Sequence, residues 1–216
     1  MQNTNLVLLH KKLLELLDYI DLLCKKHKIP YTLSSGTVLG AVRHNGFIPW
    51  DDDLDIMLTR ENYEKLLAVL KKETNEKFSL QEARLDYPLY YSKLRCNNTS
   101  FIENYRLSKK HRLMHQGIFL DIFALDFASK NPFLFFLQTM CSRILVAQSL
   151  FQRGYNTATF RKKILMYISL LFLPFNKLFY TFIISIKREQ AKGLCDFFST
   201  GGGKNNFYEI DLMDEI

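Results

Sequence analysis

The stretch WDDDLDI, residues 50–56, sets four carboxylates in five positions, between an aromatic side chain and an apolar run. Carboxylates this close repel one another, and burying them without a partner costs more still. A fold can tolerate them in two ways, as a solvated acidic turn or as a site built to hold a cation. The residues that follow favour the second. LDIML reads as a strand, and in a strand positions i and i+2 share a face. Asp53 and Asp55 then point the same way, about 7 Å apart at their Cα atoms, while Leu54 and Ile56 point into apolar surroundings. Asp51 joins that face if the strand extends back to it. A solvated turn has no need of an apolar strand directly behind it, whereas a cation cage uses one to fix the direction of its ligands. Mg²⁺ or Mn²⁺ suits such a pair, because hard cations take carboxylates together with waters and phosphate oxygens.

The elements around this motif can be read from periodicity. Residues 6–27 place Leu9, Leu13, Leu16, Ile20 and Leu23 at three- and four-residue spacing, which predicts an amphipathic helix that Pro30 ends. YTLSS reads as a short strand, GTVLGAVRH as a short helix starting at Gly36 and Thr37, and TRENYEKLLAVLKKE as a helix with Thr59 at its N-cap. FSLQEA, YYSKLRCN and GIFLDIFAL are expected to be strands. From Phe133 to about Lys192 the chain reads as mainly helical, and STGGGKNN as a flexible loop. The expected class is α+β, with a mixed sheet and flanking helices over 1–126 and a mostly helical, basic and apolar region over 127–216.

Three further features converge on phosphate and metal. SSGT at 34–37 offers backbone N–H groups, the hydroxyls of Ser35 and Thr37, and a helix N-terminus to an anion, with Gly36 permitting close approach. Arg43 and His44 follow on the same short helix. Lys93 and Arg95 alternate onto one strand face and are expected to reach the same phosphates. Asp121 is the single acid in IFLDIFA, and a neighbouring metal would remove the cost of burying it.

In this order, SSGTVLGAVRHNGFIPWDDDLDIML, KLRCNNTSFIE and GIFLDIFALD resemble the LicD family, which also includes the fukutin-type proteins and lies within the nucleotidyltransferase superfamily. The resemblance covers roughly Leu13 to Phe127. It implies a nucleotidyltransferase-like catalytic domain that moves a phospho-alcohol from a CDP carrier to a glycan hydroxyl. Phosphocholine from CDP-choline is the usual bacterial donor, and lipopolysaccharide or teichoic acid glycans, in some cases lipid-linked, are the acceptors. It further implies that Asp53 and Asp55 hold Mg²⁺, that Gly36 and Thr37 approach the nucleotide phosphates, and that Asp121 is a third ligand or the base for the acceptor hydroxyl. Asp51 and Asp52 complete the motif without an assigned role. Family members usually continue past a GGG-like loop into a Pro-rich closing segment. This sequence stops at Ile216 with FYEIDLMDEI, so a shortened C-terminal end is expected. Two rival readings remain, a DxD-dependent nucleotide-sugar glycosyltransferase and an inactive membrane-associated member of the family.

Charge and composition bear on location. The chain carries a net charge of +7, yet ten Lys or Arg stand against one Glu between Phe127 and Lys192, a balance of +9 that leaves −2 for the rest. The same region holds NPFLFFLQTMCSRILVAQ and ILMYISLLFLPFNKLFYTFIISI, the second interrupted by Pro174, Asn176 and Lys177. These segments read as core helices with a basic face, as helices lying in an anionic membrane surface, or as a transmembrane hairpin. The basic residues sit among aliphatics with no nucleic-acid-reading motif, which excludes nucleic acid as the expected partner. Cys24, Cys96, Cys141 and Cys195 show no metal-ligand spacing. With no secretory pattern at the N-terminus, the expectation is free thiols and a cytoplasmic protein, peripheral on the inner face of the membrane. Without a secretory pattern, the sequon match in NNTS is accidental.

Overall fold

The computed structural model describes residues 4–73, 75–83, 89–101, 115–152, 160–198 and 207–209. The chain divides into two compact units. The first comprises Met1–Tyr87, Tyr91–Glu103 and Leu113–Phe123, and the second Pro88–Tyr90, Asn104–Arg112 and Ala124–Ile216.

In the first unit the expected order of elements is present. Helix α1 (Thr4–His27) buries Leu13, Leu16, Ile20 and Leu23, the stripe its spacing predicts, together with Cys24. Lys28, at φ 53°, turns the chain out of the helix. Then come β1 (Thr32–Leu33), α2 (Ser35–His44), β2 (Asp55–Thr59), α3 (Arg60–Lys72), β3 (Phe78–Gln81) and β4 (Ser92–Cys96). Helix α3 turns Tyr63, Leu66, Leu67 and Leu70 inward. Thr59 occupies its N-cap position, but the Thr59 side chain makes no capping hydrogen bond. At the far end of α3, Glu73 accepts from Lys26 at 2.8 Å and lies 2.7 Å from His27, tying the C-termini of α1 and α3 together.

Strand β5 (Phe119–Ser129) enters the first unit with its first half and the second unit with the remainder. The strand order in the first unit is β1-β2-β5-β4-β3. β1 with β2, β4 with β5 and β3 with β4 are antiparallel pairs. β5 is buried along almost its whole length, as a central strand should be.

The second unit contains α4 (Pro132–Gln152), α5 (Phe160–Ser169), a 3₁₀ segment (Leu170–Phe175), α6 (Asn176–Ile184), β6 (Ala191–Cys195) and β7 (Phe207–Glu209). Its core is Tyr90, Ala128, Leu145, Ile183, Cys195, Phe197 and Phe198. The helices agree with the sequence reading. Strands β6 and β7 do not, because β6 begins inside the stretch read as helical and pairs with Asp126–Ser129 of β5. The STGGGKNN loop lies outside the described residues. All four cysteines are free thiols.

Candidate functional site

The site grows from the β1–α2–β2 unit. The β1–β2 register sets Leu33 opposite Ile56, and the Ser34 amide donates to the Asp55 carbonyl at 3.0 Å. Helix α2 therefore starts beside the first residue of β2. The Asp55 amide donates to Thr37 Oγ1 at 2.9 Å, so the Thr37 hydroxyl pins the acidic strand to the helix N-terminus. Ser35 sits at φ 50°, unusual for a non-glycine residue, and Ser34 lends no side-chain cap. Gly36 and Gly40 are required by proximity. A Cβ at Gly36 would stand 2.6 Å from Asp51 Oδ2, and one at Gly40 would stand 2.6 Å from the Gly46 carbonyl oxygen.

β2 begins at Asp55, so Asp51, Asp52 and Asp53 precede the strand rather than extend it. One carboxylate oxygen from each of these three lies within 4.8 Å of the others. Asp55 stands behind them at the strand start, between the buried Leu54 and Ile56. The Leu54 carbonyl accepts the Asp121 amide at 2.9 Å, which brings β5 to this point. The electrostatics record the crowding. Burial, reinforced by Asp51, Asp52 and Asp121, pushes Asp53 up to about 6. Burial, with the charges of Asp121 and Asp53, pushes Asp55 up to about 8, against the opposing pull of Lys93.

On the neighbouring strands, Lys93 and Asp121 are register partners. Lys93 is 1% exposed, its Nζ lies 2.6 Å from Asp121 Oδ1, and it sits 3.4 Å above the centre of the Phe119 ring. Arg95, 2% exposed, donates through Nε to Gln81 Oε1 at 2.7 Å and through a terminal nitrogen to the Gly117 carbonyl at 2.8 Å. Arg43 is exposed on the last turn of α2, and the neighbouring His44 meets Trp50 edge-on with ring centres 6.3 Å apart.

Of the residues singled out from sequence, the structure brings Thr37, Asp53, Asp55, Lys93 and Asp121 together. Gly36 joins them through Asp51. Ser35 is exposed at the start of α2, and Arg95 points its guanidinium at internal acceptors. One contributor was missed. His10 of α1 stacks on Phe47, with centres 4.2 Å apart and planes 7° from parallel, and its Nε2 lies 2.7 Å from the Asp51 carbonyl oxygen. A carbonyl can only accept, so Nε2 carries the proton. The available signal was a polar residue three positions before Leu13 on the buried stripe of α1.

The donor set is all oxygen and all carboxylate, with two members raised by burial and, after it, by mutual repulsion. Asp51, Asp52, Asp53 and Asp55, with Asp121 alongside, fit a hard divalent cation, whose charge offsets the repulsion that otherwise favours protonation.

The family profile described as LicD/FKTN/FKRP, nucleotidyltransferase domain, matches residues 28–143. The lipopolysaccharide cholinephosphotransferase LicD of Haemophilus influenzae is 46% identical over 70 residues, covering 32% of this chain and 26% of that protein. An uncharacterized protein of Rickettsia prowazekii is 52% identical over 48 residues, covering 22% of this chain and 18% of its own length. The chain thus aligns with about a quarter or less of these relatives.

Proposed function

The chain belongs to the LicD/FKTN/FKRP nucleotidyltransferase-domain family, and from that premise we propose that it is a transferase moving phosphocholine from CDP-choline to a hydroxyl of a lipopolysaccharide-type glycan, with Mg²⁺ as cofactor. The observation that carries this reading is the carboxylate group Asp51, Asp52, Asp53, Asp55 and Asp121, assembled where α2, β2 and β5 meet. The Haemophilus relative, named for cholinephosphate transfer to lipopolysaccharide, supplies the substrate class.

In this reaction an acceptor hydroxyl oxygen bonds to the phosphorus that bears choline. The bond from that phosphorus to the CMP oxygen breaks, and the hydroxyl proton passes to a carboxylate or to water. Bound Mg²⁺ would be held by Asp53 and Asp55 with their acidic neighbours, and it supplies charge neutralisation for the diphosphate. The chain's own groups do the positioning. Thr37 Oγ1 holds the backbone of Asp55, and His10 holds the backbone of Asp51. Lys93 fixes one oxygen of Asp121 and so the plane of that carboxylate. Holding donor and acceptor in line replaces a bimolecular encounter with a positioned attack.

The test is CMP release from CDP-choline with Mg²⁺ and a lipooligosaccharide acceptor, followed by mass spectrometry of the glycan. A gain of one phosphocholine per acceptor supports the reading. Thermal protection by UDP- or GDP-sugars, with none by CDP-choline, would move the assignment to a nucleotide-sugar glycosyltransferase.

A further inference from the structure

Helix α4 is built inside out. Its buried positions include Gln138, Thr139, Ser142, Gln148 and Ser149, whereas Phe133, Phe136 and Met140 are exposed. The buried polar groups have work within the unit. Gln138 accepts the Ser129 amide and donates to the Phe127 and Ile183 carbonyls, each at 3.0 Å. Ser142 donates to the Phe197 carbonyl and Gln148 to the Ser169 carbonyl, both at 2.6 Å. Polar side chains turned inward with aromatics outward reverse the pattern of a helix that faces water.

The run from α5 to α6 repeats the arrangement. Phe160, Ile164, Ile168, Leu171, Phe175 and Leu178 follow at three- and four-residue spacing and all are exposed, Leu171 by 75%. Among the described residues, Met166, Ser169 and Ile183 are its buried positions. An apolar stripe of this length turned away from the unit's own core is an interaction surface.

Charge identifies the occupant. Arg143, Arg161, Lys163 and Lys177 are exposed on these same helices, and Glu189 is the one acid between Phe127 and Lys192. A second copy would set +9 against +9 with almost no acid to pair. Anionic lipid complements both the charge and the apolar face. Two stretches, Pro132–Gln152 and Lys163–Ile184, have the length and hydropathy to span a bilayer. Arg143 lies at the middle of the first and Lys177 within the second, both exposed, so spanning would put cations in hydrocarbon. Lying flat lets these side chains reach the headgroups instead. We propose that the exposed apolar faces of α4, α5 and α6 are a docking surface for an anionic bilayer, with the helices in the plane of the headgroups. This surface stands independently of the transfer reaction.

Flotation of the full chain with vesicles tests it, using phosphatidylcholine alone or with about a third phosphatidylglycerol, at about 0.05 and 0.5 M NaCl. Binding is expected only with the anionic vesicles and weaker at high salt. Each cation near the surface contributes roughly fivefold, so R161Q/K163Q/K177Q should bind about 100-fold more weakly. Leu171→Ser with Leu178→Ser should also release the protein while leaving its thermal midpoint unchanged, because both side chains are exposed. Four results would overturn the proposal: no binding to anionic vesicles at low salt, equal binding to neutral vesicles, resistance to alkaline carbonate extraction, or an oligomer that the Leu171→Ser, Leu178→Ser variant converts to monomer.

Discussion

Lys93 and Asp121 face each other across β4 and β5, with Nζ 2.6 Å from Oδ1 and both residues buried. A lysine with 1% exposure, held by a carboxylate and two aromatic rings, is an internal counter-ion, and we propose that role for it in place of a phosphate contact. Its part in the site is to set where Asp121 points. Lys93→Met should cost about 3–5 kcal/mol in denaturant unfolding, the cost of leaving a buried charge uncompensated. Lys93→Met combined with Asp121→Asn should regain much of that stability and none of the activity. A Lys93→Met protein of near-wild-type stability whose only defect is a raised KM for donor would restore the phosphate-binding role.

Asp53→Asn and Asp55→Asn should each abolish transfer while the fold persists. Each change removes a proposed ligand, and Asp53→Asn also removes one of the charges that raise Asp55. Circular dichroism with a turnover assay at limiting Mg²⁺ checks this. Retained turnover in either variant would sink the metal assignment.

The metal-free protein should lose stability as pH rises from about 4 to 8 through the contribution of these two groups. Asp53 at about 6 and Asp55 at about 8 bind protons more tightly when folded than when unfolded, where a carboxyl titrates near 3.8. Their contribution is complete below the unfolded value and is lost as pH passes the folded values. Millimolar Mg²⁺ should flatten the slope, because the ion neutralises the carboxylates that repel. Thermal melts across pH, with Mg²⁺ or with EDTA, read both effects.

His10 holds the acidic loop from outside the stretch that the family profile matches. Trp50, the sole tryptophan, is 77% exposed and adjoins Asp51, so its fluorescence reports on this loop directly. His10→Phe keeps the stack on Phe47 and removes the donor. It should shift the Mg²⁺ midpoint of Trp50 fluorescence several-fold upward, and His10→Gln, which retains an N–H donor, should recover much of it. Equal midpoints in all three proteins would reduce His10 to a packing residue.

Gly40→Ala should destabilise the protein by about 1–3 kcal/mol, the usual cost of overpacking. Its Cβ would meet backbone, the Gly46 carbonyl oxygen at 2.6 Å and the Ile48 amide nitrogen at 2.9 Å, which cannot swing aside. Gly36→Ala meets the end of the Asp51 side chain instead, so it should cost less stability and more activity. Denaturant midpoints beside turnover separate the two.

The acidic motif, its strand, and the run of elements from α1 to α3 were legible in the sequence because each rests on local periodicity and local charge. Leu13, Leu16, Ile20 and Leu23 announce one face of α1 wherever that helix docks. The same local reasoning carried the strand back to Asp53, two residues before β2 begins, and it could not say that Arg95 would be buried against Gln81 and the Gly117 carbonyl, since alternation along a strand does not say which face is covered. β6 was missed for a different reason. Ala191–Cys195 has no strong alternation, and its strand character comes from hydrogen bonds to β5, about 65 residues earlier in the chain.

Sequence by itself determined that four carboxylates would crowd at the head of an apolar strand, where they repel one another. Tertiary structure alone decided which groups meet Asp121 and the backbone of Asp51. Lys93 meets Asp121 because antiparallel register places residues 28 positions apart side by side. His10 reaches Asp51 across 41 positions because α1 docks with that face inward. Helix α4 turns aromatics outward because its polar side chains found buried carbonyls to bond. Propensity and patterning act over a turn or two of chain. The cost of an unpaired buried charge or carbonyl is settled only by whatever the fold brings within about 3 Å of it.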